Sequence, residues 1–155
     1  MRSPSAVVHE KDFQSLDYYW ESSHKMTSAI LFGQLEKDHV LIELISEALP
    51  AARTATVSVN CGAWRGRYAM RFVPGELGKF GREIEYFRES LRLTATLNCA
   101  EHCLRLTLSG SDFGRIVVEG RASEHFGDHT ALTFKFDIDR ESLPALARSL
   151  IAIDV

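Results

Sequence analysis

The chain has no apolar run approaching the roughly 20 residues that a membrane-spanning helix needs. Its first nine residues, Met1 to His9, lack the apolar core of a signal peptide. Cysteine is scarce: three residues, an odd number, do not make a disulfide framework and fit a reducing, cytoplasmic location. Neither sign of charge dominates. Eighteen Lys and Arg against 21 Asp and Glu leave a formal charge of -3, which argues neither for a nucleic-acid binder nor for an acidic tail. Gly-rich phosphate loops, Gly-x-Ser-x-Gly elbows and His-Glu-x-x-His helices are all missing, so no catalytic residue and no cofactor is expected. There is no internal repeat, low-complexity segment or linker. The 155 residues are expected to form one domain, long enough to bury a core, with residues 1–12 as a flexible N-terminus.

What the chain does have is alternation of apolar and polar residues with period two. It runs through Leu91 to Leu97, Leu104 to Leu108, Phe113 to Ala122 and Leu132 to Ile138. Successive side chains of a strand point to opposite faces, so each segment has one dry and one wet side. The short connections predict an antiparallel meander. Ser109 to Asp112 reads as a turn in which Gly110 takes the free φ angle. Upstream, Ser28 to Leu35 reads as extended with a bend or bulge at Gly33. Thr54 to Cys61 and Arg65 to Val73 read as a hairpin around Gly62, with Ala55, Val57, Val59, Cys61, Tyr68, Met70 and Phe72 inward. Val40 to Leu49 fits two patterns. As a strand it turns Val40, Ile42 and Leu44 to one side, and as a helix Leu41, Leu44, Ile45 and Leu49. The strand is preferred because strand-like sequence follows Pro50. The aromatic cluster Phe13, Tyr18, Tyr19 and Trp20 is compatible with a short helix or an extended arm.

Leu77, Phe80, Ile84, Phe87 and Leu91 recur at spacings of three and four, which predicts a helix over about 75–91. Glu76 suits its positive end. Gly78 and Gly81 each cost about 1 kcal/mol in helix propensity, so their small size is expected to serve close packing on the sheet. Asp139 reads as the N-cap of a final helix over about 140–152, with Leu143, Leu146, Ala147, Leu150 and Ile151 as its apolar stripe. The expected class is therefore α+β: one antiparallel sheet of about six to seven strands, a crossing helix and a C-terminal helix.

Two clusters invite a metal reading. Cys99, His102 and Cys103 lie between two strands, but no second ligand pair accompanies them, so two small apolar thiols at a turn are the favoured reading and no metal is expected. His125, Asp128 and His129 sit on a loop, where a solvated hairpin is the ordinary outcome.

The wet sides of the strands are more distinctive. The period-two reading turns outward Arg65, Arg67, Arg71, Arg92, Arg105, Arg115, Glu119, Arg121, Lys135 and Asp137, eight cations against two carboxylates in an acidic chain. Arg65, Arg71, Arg92, Arg105, Arg115 and Arg121 are expected to project from a single sheet face and to bind a partner. Guanidinium forks suit carboxylates. The opposing reading is that acids of the N-terminal third, such as Asp12, Asp17 and Glu21, neutralise these arginines. Nucleic acid is disfavoured because aromatics are not interleaved with the basic residues.

From Gly62 onward the order of features adds a resemblance. Gly62-Ala-Trp-Arg-Gly-Arg-Tyr-Ala-Met-Arg-Phe72 is followed by Glu76-Leu-Gly-Lys-Phe80 and Leu104-Arg-Leu-Thr-Leu108. Gly114 to Gly120, Leu132 to Asp139 and an amphipathic helix complete the series. Over residues 62–151 this resembles the WapI-like immunity proteins and related small bacterial proteins. The resemblance implies a cytoplasmic protein that binds and neutralises a toxin domain, and it brings no catalytic residues. Inhibitors of nuclease toxins usually present acids, and the basic face departs from that pattern, which argues against a nuclease partner. The expectation is a non-enzymatic protein-binding module whose partner has an acidic surface. The alternative is a small enzyme or ligand-binding protein with a pocket between sheet and helices that uses His125, Asp128 or His129. Self-association through the sheet is left open, and no membrane contact is expected.

Overall fold

A computed structural model describes residues 26–45, 53–90, 93–111, 113–124 and 130–154. The expectations for residues 1–12, for Phe13 to Trp20, for Leu49 and Pro50, for Leu91 and Arg92, and for His125, Asp128 and His129 lie outside the described residues.

The strands are β1 (Met26–Gly33), β2 (His39–Ile45), β3 (Arg53–Cys61) and β4 (Trp64–Phe72), then β5 (Thr94–Asn98), β6 (Leu104–Gly110), β7 (Ile116–Ala122) and β8 (Leu132–Ile138). Helix α1 (Glu76–Glu89) joins the two groups. A 3-10 turn (Arg140–Ser142) leads into helix α2 (Leu143–Ile153). The α+β class and the antiparallel order hold. The single sheet of six to seven strands does not: β1-β2-β3-β4 and β5-β6-β7-β8 are two separate four-stranded antiparallel meanders. Period two shows which side of a strand is dry, but not which strand it bonds to. The dry sides of both sheets and of both helices enter one buried core, and β8 lies against β1 and β3 of the first sheet.

Val40, Ile42 and Leu44 are fully buried, so Val40 to Ile45 is strand rather than helix. Gly33 ends β1 at φ 101°, where a Cβ would stand 2.3 Å from Asp38 O, so this bend admits only glycine. Cys61 pairs with Trp64 across a two-residue turn, and Gly62 N–H donates to Asp38 Oδ1 (2.9 Å), which links the β1–β2 and β3–β4 turns. Gly110 remains within β6; the free φ of the β6–β7 turn belongs to Gly114, at 75°.

In α1, Leu77, Phe80, Ile84 and Phe87 are buried as their spacing requires. The two small residues of this helix face α2 rather than a sheet. A Cβ on Gly81 would fall 2.9 Å from Ala147 O, and one on Gly78 would fall 2.7 Å from Asp154 Oδ2. That carboxylate accepts from Gly78 N–H (2.6 Å), satisfying an amide of the first helical turn that has no partner within the helix. Asp139 stands at the start of the 3-10 turn but makes no side-chain cap, because its Oδ1 accepts from Arg115 Nη1 (2.8 Å). Among the described residues, no helix is long and apolar enough to cross a membrane.

Candidate functional site

The strand registers arrange the outer side of the second sheet in three rows. The first is Asn98, Arg105, Arg121 and Thr133; the second Thr96, Thr107, Glu119 and Lys135; the third Thr94, Ser109, Val117 and Asp137. Odd residues of β6 and β7 face outward because Leu104, Leu106, Leu108, Ile116 and Val118 are buried beneath them. Gly120 lies under this surface, and the ring of Phe134, its partner on β8, covers it: a Cβ there would stand 2.3 Å from Phe134 Cζ.

Arg105 and Arg121 are directly opposed across β6 and β7, and both are exposed. Like charges at such a position are destabilising. Neither side chain has an ion pair or hydrogen bond among the described residues. Lys135 likewise has no ion pair there, although Glu119 is its cross-strand neighbour. At the far corner the charges are balanced: Arg115 bridges Asp139 (2.8 Å) and Asp137 (3.7 Å).

The six arginines expected on one sheet face are thus divided. Arg65 and Arg71 lie on β4 of the first sheet, and Arg105 and Arg121 lie on the second. Arg115 precedes β7, and Arg92 lies outside the described residues. The outward direction read from period two is correct for the residues on strands, since Arg65, Arg71, Arg105 and Arg121 are all exposed. They fail to share a face because their strands belong to different sheets. Arg71 is engaged within the chain: Glu101 accepts from its backbone N–H (2.9 Å) and meets its Nε (3.4 Å). Arg65 has no ion pair among the described residues.

Carboxylates in turns and on α1 also close strand edges. Glu76 accepts from Val73 N–H (2.7 Å) and Ala100 N–H (2.6 Å), and Glu83 accepts from Thr96 N–H (3.1 Å). Period-two reasoning missed Glu76, Glu83 and Glu101 in this role. Its signal was confined to strands, and these residues sit on a helix and a turn.

A cleft of about 760 Å³ opens between the end of β4 and the β5–β6 turn, with Ala69, Arg71, Glu101, His102, Cys103 and Glu124 among its walls. His102 holds the left-handed φ of 58°. Tyr68 O–H donates to Cys103 O (2.8 Å) and ties the edge of the first sheet to this turn. Burial, with a smaller contribution from Glu76, pushes the Cys99 thiol up, and burial followed by Glu101 pushes Cys103 up. Both stay neutral at pH 7, a poor state for nucleophile or metal ligand. Among the described residues, no three His, Cys, Asp or Glu side chains are placed to hold a metal ion. Cys99 and Cys103 should react with iodoacetamide slowly in the folded protein and rapidly in urea. Equal rates in the two conditions, read by mass spectrometry, would mean that the turn is open.

Compared with known protein families, residues 52–153 match the model of the Immunity protein WapI-like family. No curated protein matches the chain.

Proposed function

Because the chain belongs to the WapI-like immunity protein family, we propose that it is a non-enzymatic binding protein that neutralises a toxin domain, with Arg105 and Arg121 meeting an acidic patch on that toxin. The observation that carries the reading is their pairing. Two exposed guanidinium groups face each other across neighbouring strands and have no counter-charge among the described residues. Among the described residues nothing offsets their repulsion. A partner carboxylate placed between them removes that cost and gains charge-assisted hydrogen bonds, so the same two residues favour the complex twice. Asn98 and Thr133 complete the row with neutral polar groups that can accept or donate beside the carboxylate.

The surface suits protein better than nucleic acid. None of the three rows contains an aromatic side chain on which a base could stack. Glu119 and Asp137 interrupt the positive field that a phosphate backbone would follow. The remaining cations are positioned to steer an acidic partner, so association should be fast at low salt and slow as salt rises.

The double variant Arg105→Glu and Arg121→Glu should fold with a melting temperature close to that of the parent, because neither side chain makes a bond among the described residues. Its affinity for a cognate toxin domain should fall by at least about a hundredfold, since interface arginines of this kind carry about 2 kcal/mol or more each. Isothermal titration calorimetry measures the loss. Unchanged affinity would remove the pair from the interface, and a large drop in melting temperature would mean that the arginines serve the fold.

A further inference from the structure

We propose that the outer side of the second sheet takes one helix of the toxin, which lies along β5 and β6 and turns an acid toward Arg105 and Arg121, a base toward Glu119 and an apolar side chain toward Val117. Glu119 decides which helix fits. The inference rests on the protein-binding reading and adds the form of the partner to it.

The strand registers divide this face lengthwise. Beyond Arg105, the outward residues of β5 and β6 include Thr94, Thr96, Thr107 and Ser109. These side chains are small and uncharged, and the hydroxyls of Thr96 and Thr107 stand 3.5 Å apart. They form a shelf two strands wide, about 10 Å at about 4.8 Å per strand. A helix with its side chains has about that diameter. The next column, on β7, carries the long side chains Arg121 and Glu119, both exposed. A helix on the shelf therefore lies with one flank against β7. An extended segment is a poorer occupant. The face of a sheet offers it only side chains, so its own amides would be covered without partners, whereas a helix bonds its backbone internally.

Along β7 the outward chemistry has a fixed order. Arg121 is a cation, Glu119 an anion and Val117 an apolar group, each two residues from the next. The steps are about 7 Å, at about 3.4 Å per residue. Positions four apart on a helix are about 6 Å apart along its axis. Three successive turns of the helix thus meet the three residues in turn, and Arg105, opposite Arg121, joins it at the first position. Glu119 is the discriminating group. Its side chain has no ion pair or hydrogen bond among the described residues, and Lys135, its neighbour on β8, does not bridge it. An acid at the second position meets a like charge, and a base there meets its complement. The acid that the arginines take is therefore a single one, followed by a base, rather than part of an acidic run. A second copy of this chain is the wrong occupant. Laid face to face, its first row would fall on the first or the third row here, so that Arg121 would meet an arginine or Val117.

The test uses the full chain labelled with ¹⁵N and two blocked, alanine-rich peptides of about 18 residues, long enough to hold a helix. One carries Glu, Lys and Leu at four-residue steps, the other Glu, Glu and Leu. Both are titrated to millimolar concentration, and the amide shifts of Thr107, Glu119 and Val117 report binding. The parent should bind the Glu-Lys-Leu peptide at least about threefold more tightly. The Glu–Lys pair also favours that peptide's own helix, so the deciding result is a change of ranking. Glu119→Lys should bind the Glu-Glu-Leu peptide the more tightly, and Glu119→Gln should bring the two affinities together. Both variants change an exposed side chain and should fold, which the spectrum itself reports. The inference is overturned if neither peptide shifts these amides, if the shifts fall on the first sheet, if both variants keep the parent's ratio, or if light scattering shows a dimer. A ranking that ignores Glu119, with toxin binding lost in Arg105→Glu with Arg121→Glu, strikes this inference alone. Toxin binding untouched by that double variant strikes the arginine reading and this inference with it.

Discussion

Replacing Phe80 with alanine should lower the free energy of unfolding by about 3–5 kcal/mol, a large share of the roughly 5–15 kcal/mol that holds a domain together. Phe80 is 1% exposed and lies on the face of α1 that also buries Leu77, Ile84 and Phe87. Its ring meets Phe32 of β1 at a centroid distance of 6.0 Å and a tilt of 34°. Truncation removes the transfer free energy of the ring and leaves a cavity. The walls cannot readily collapse into it, because α1 is held by Asp154 at Gly78 and by Glu83 at Thr96. Equilibrium urea unfolding measures the change. A midpoint equal to that of the parent would mean that this face of α1 does not contact the core.

The second large effect is expected at Gly81, where two terms oppose each other. Glycine inside a helix costs about 1 kcal/mol relative to alanine, so a substitution on an open surface would stabilise. Here an added Cβ would lie 2.9 Å from Ala147 O, Leu150 Cβ and Ile151 Cγ1. A backbone carbonyl cannot rotate away as a side-chain tip can, so α1 and α2 would have to separate. Overpacking of this kind costs about 1–3 kcal/mol, and a branched side chain stands at the upper end. Gly81→Val should therefore lower the melting temperature by several degrees, at about 2–4 °C per kcal/mol for a chain of this size. Gly81→Ala should fall less, because the gain in propensity offsets part of the overlap. A rise in melting temperature for Gly81→Val, measured by calorimetry, would show that the two helices are free to move apart.

Both effects depend on how α1 packs, and only half of that packing was legible beforehand. The buried stripe of α1 follows from spacings of three and four. The close approach at Gly78 and Gly81 reads from sequence only as two weak positions in a helix. The glycines were expected to lie against a sheet, and they lie against α2 because Asp154, at the far end of the chain, reaches back to Gly78 N–H. For the candidate site, exposure of Arg65, Arg71, Arg105 and Arg121 was legible, since it depends only on the parity of buried neighbours such as Met70, Leu106 and Val118. The free or engaged state of each was not: Glu101 occupies Arg71, while Asp137 and Asp139 occupy Arg115.

The sequence by itself determined the local geometry of this protein: which segments extend or coil, where Gly33 and Gly62 turn the chain, and which side of each strand is dry. Those outcomes depend on side-chain periodicity and φ preference within a few residues. Tertiary structure alone decided that eight strands form two sheets rather than one, and hence that Arg65 and Arg105 lie on different sheets. The bonding partner of a strand edge is a long-range choice between chemically equivalent rows of N–H and C=O groups. Here β4 and β5 are not bonded to each other, and carboxylates of the β5–β6 turn and of α1 occupy one edge amide on each, Arg71 N–H and Thr96 N–H.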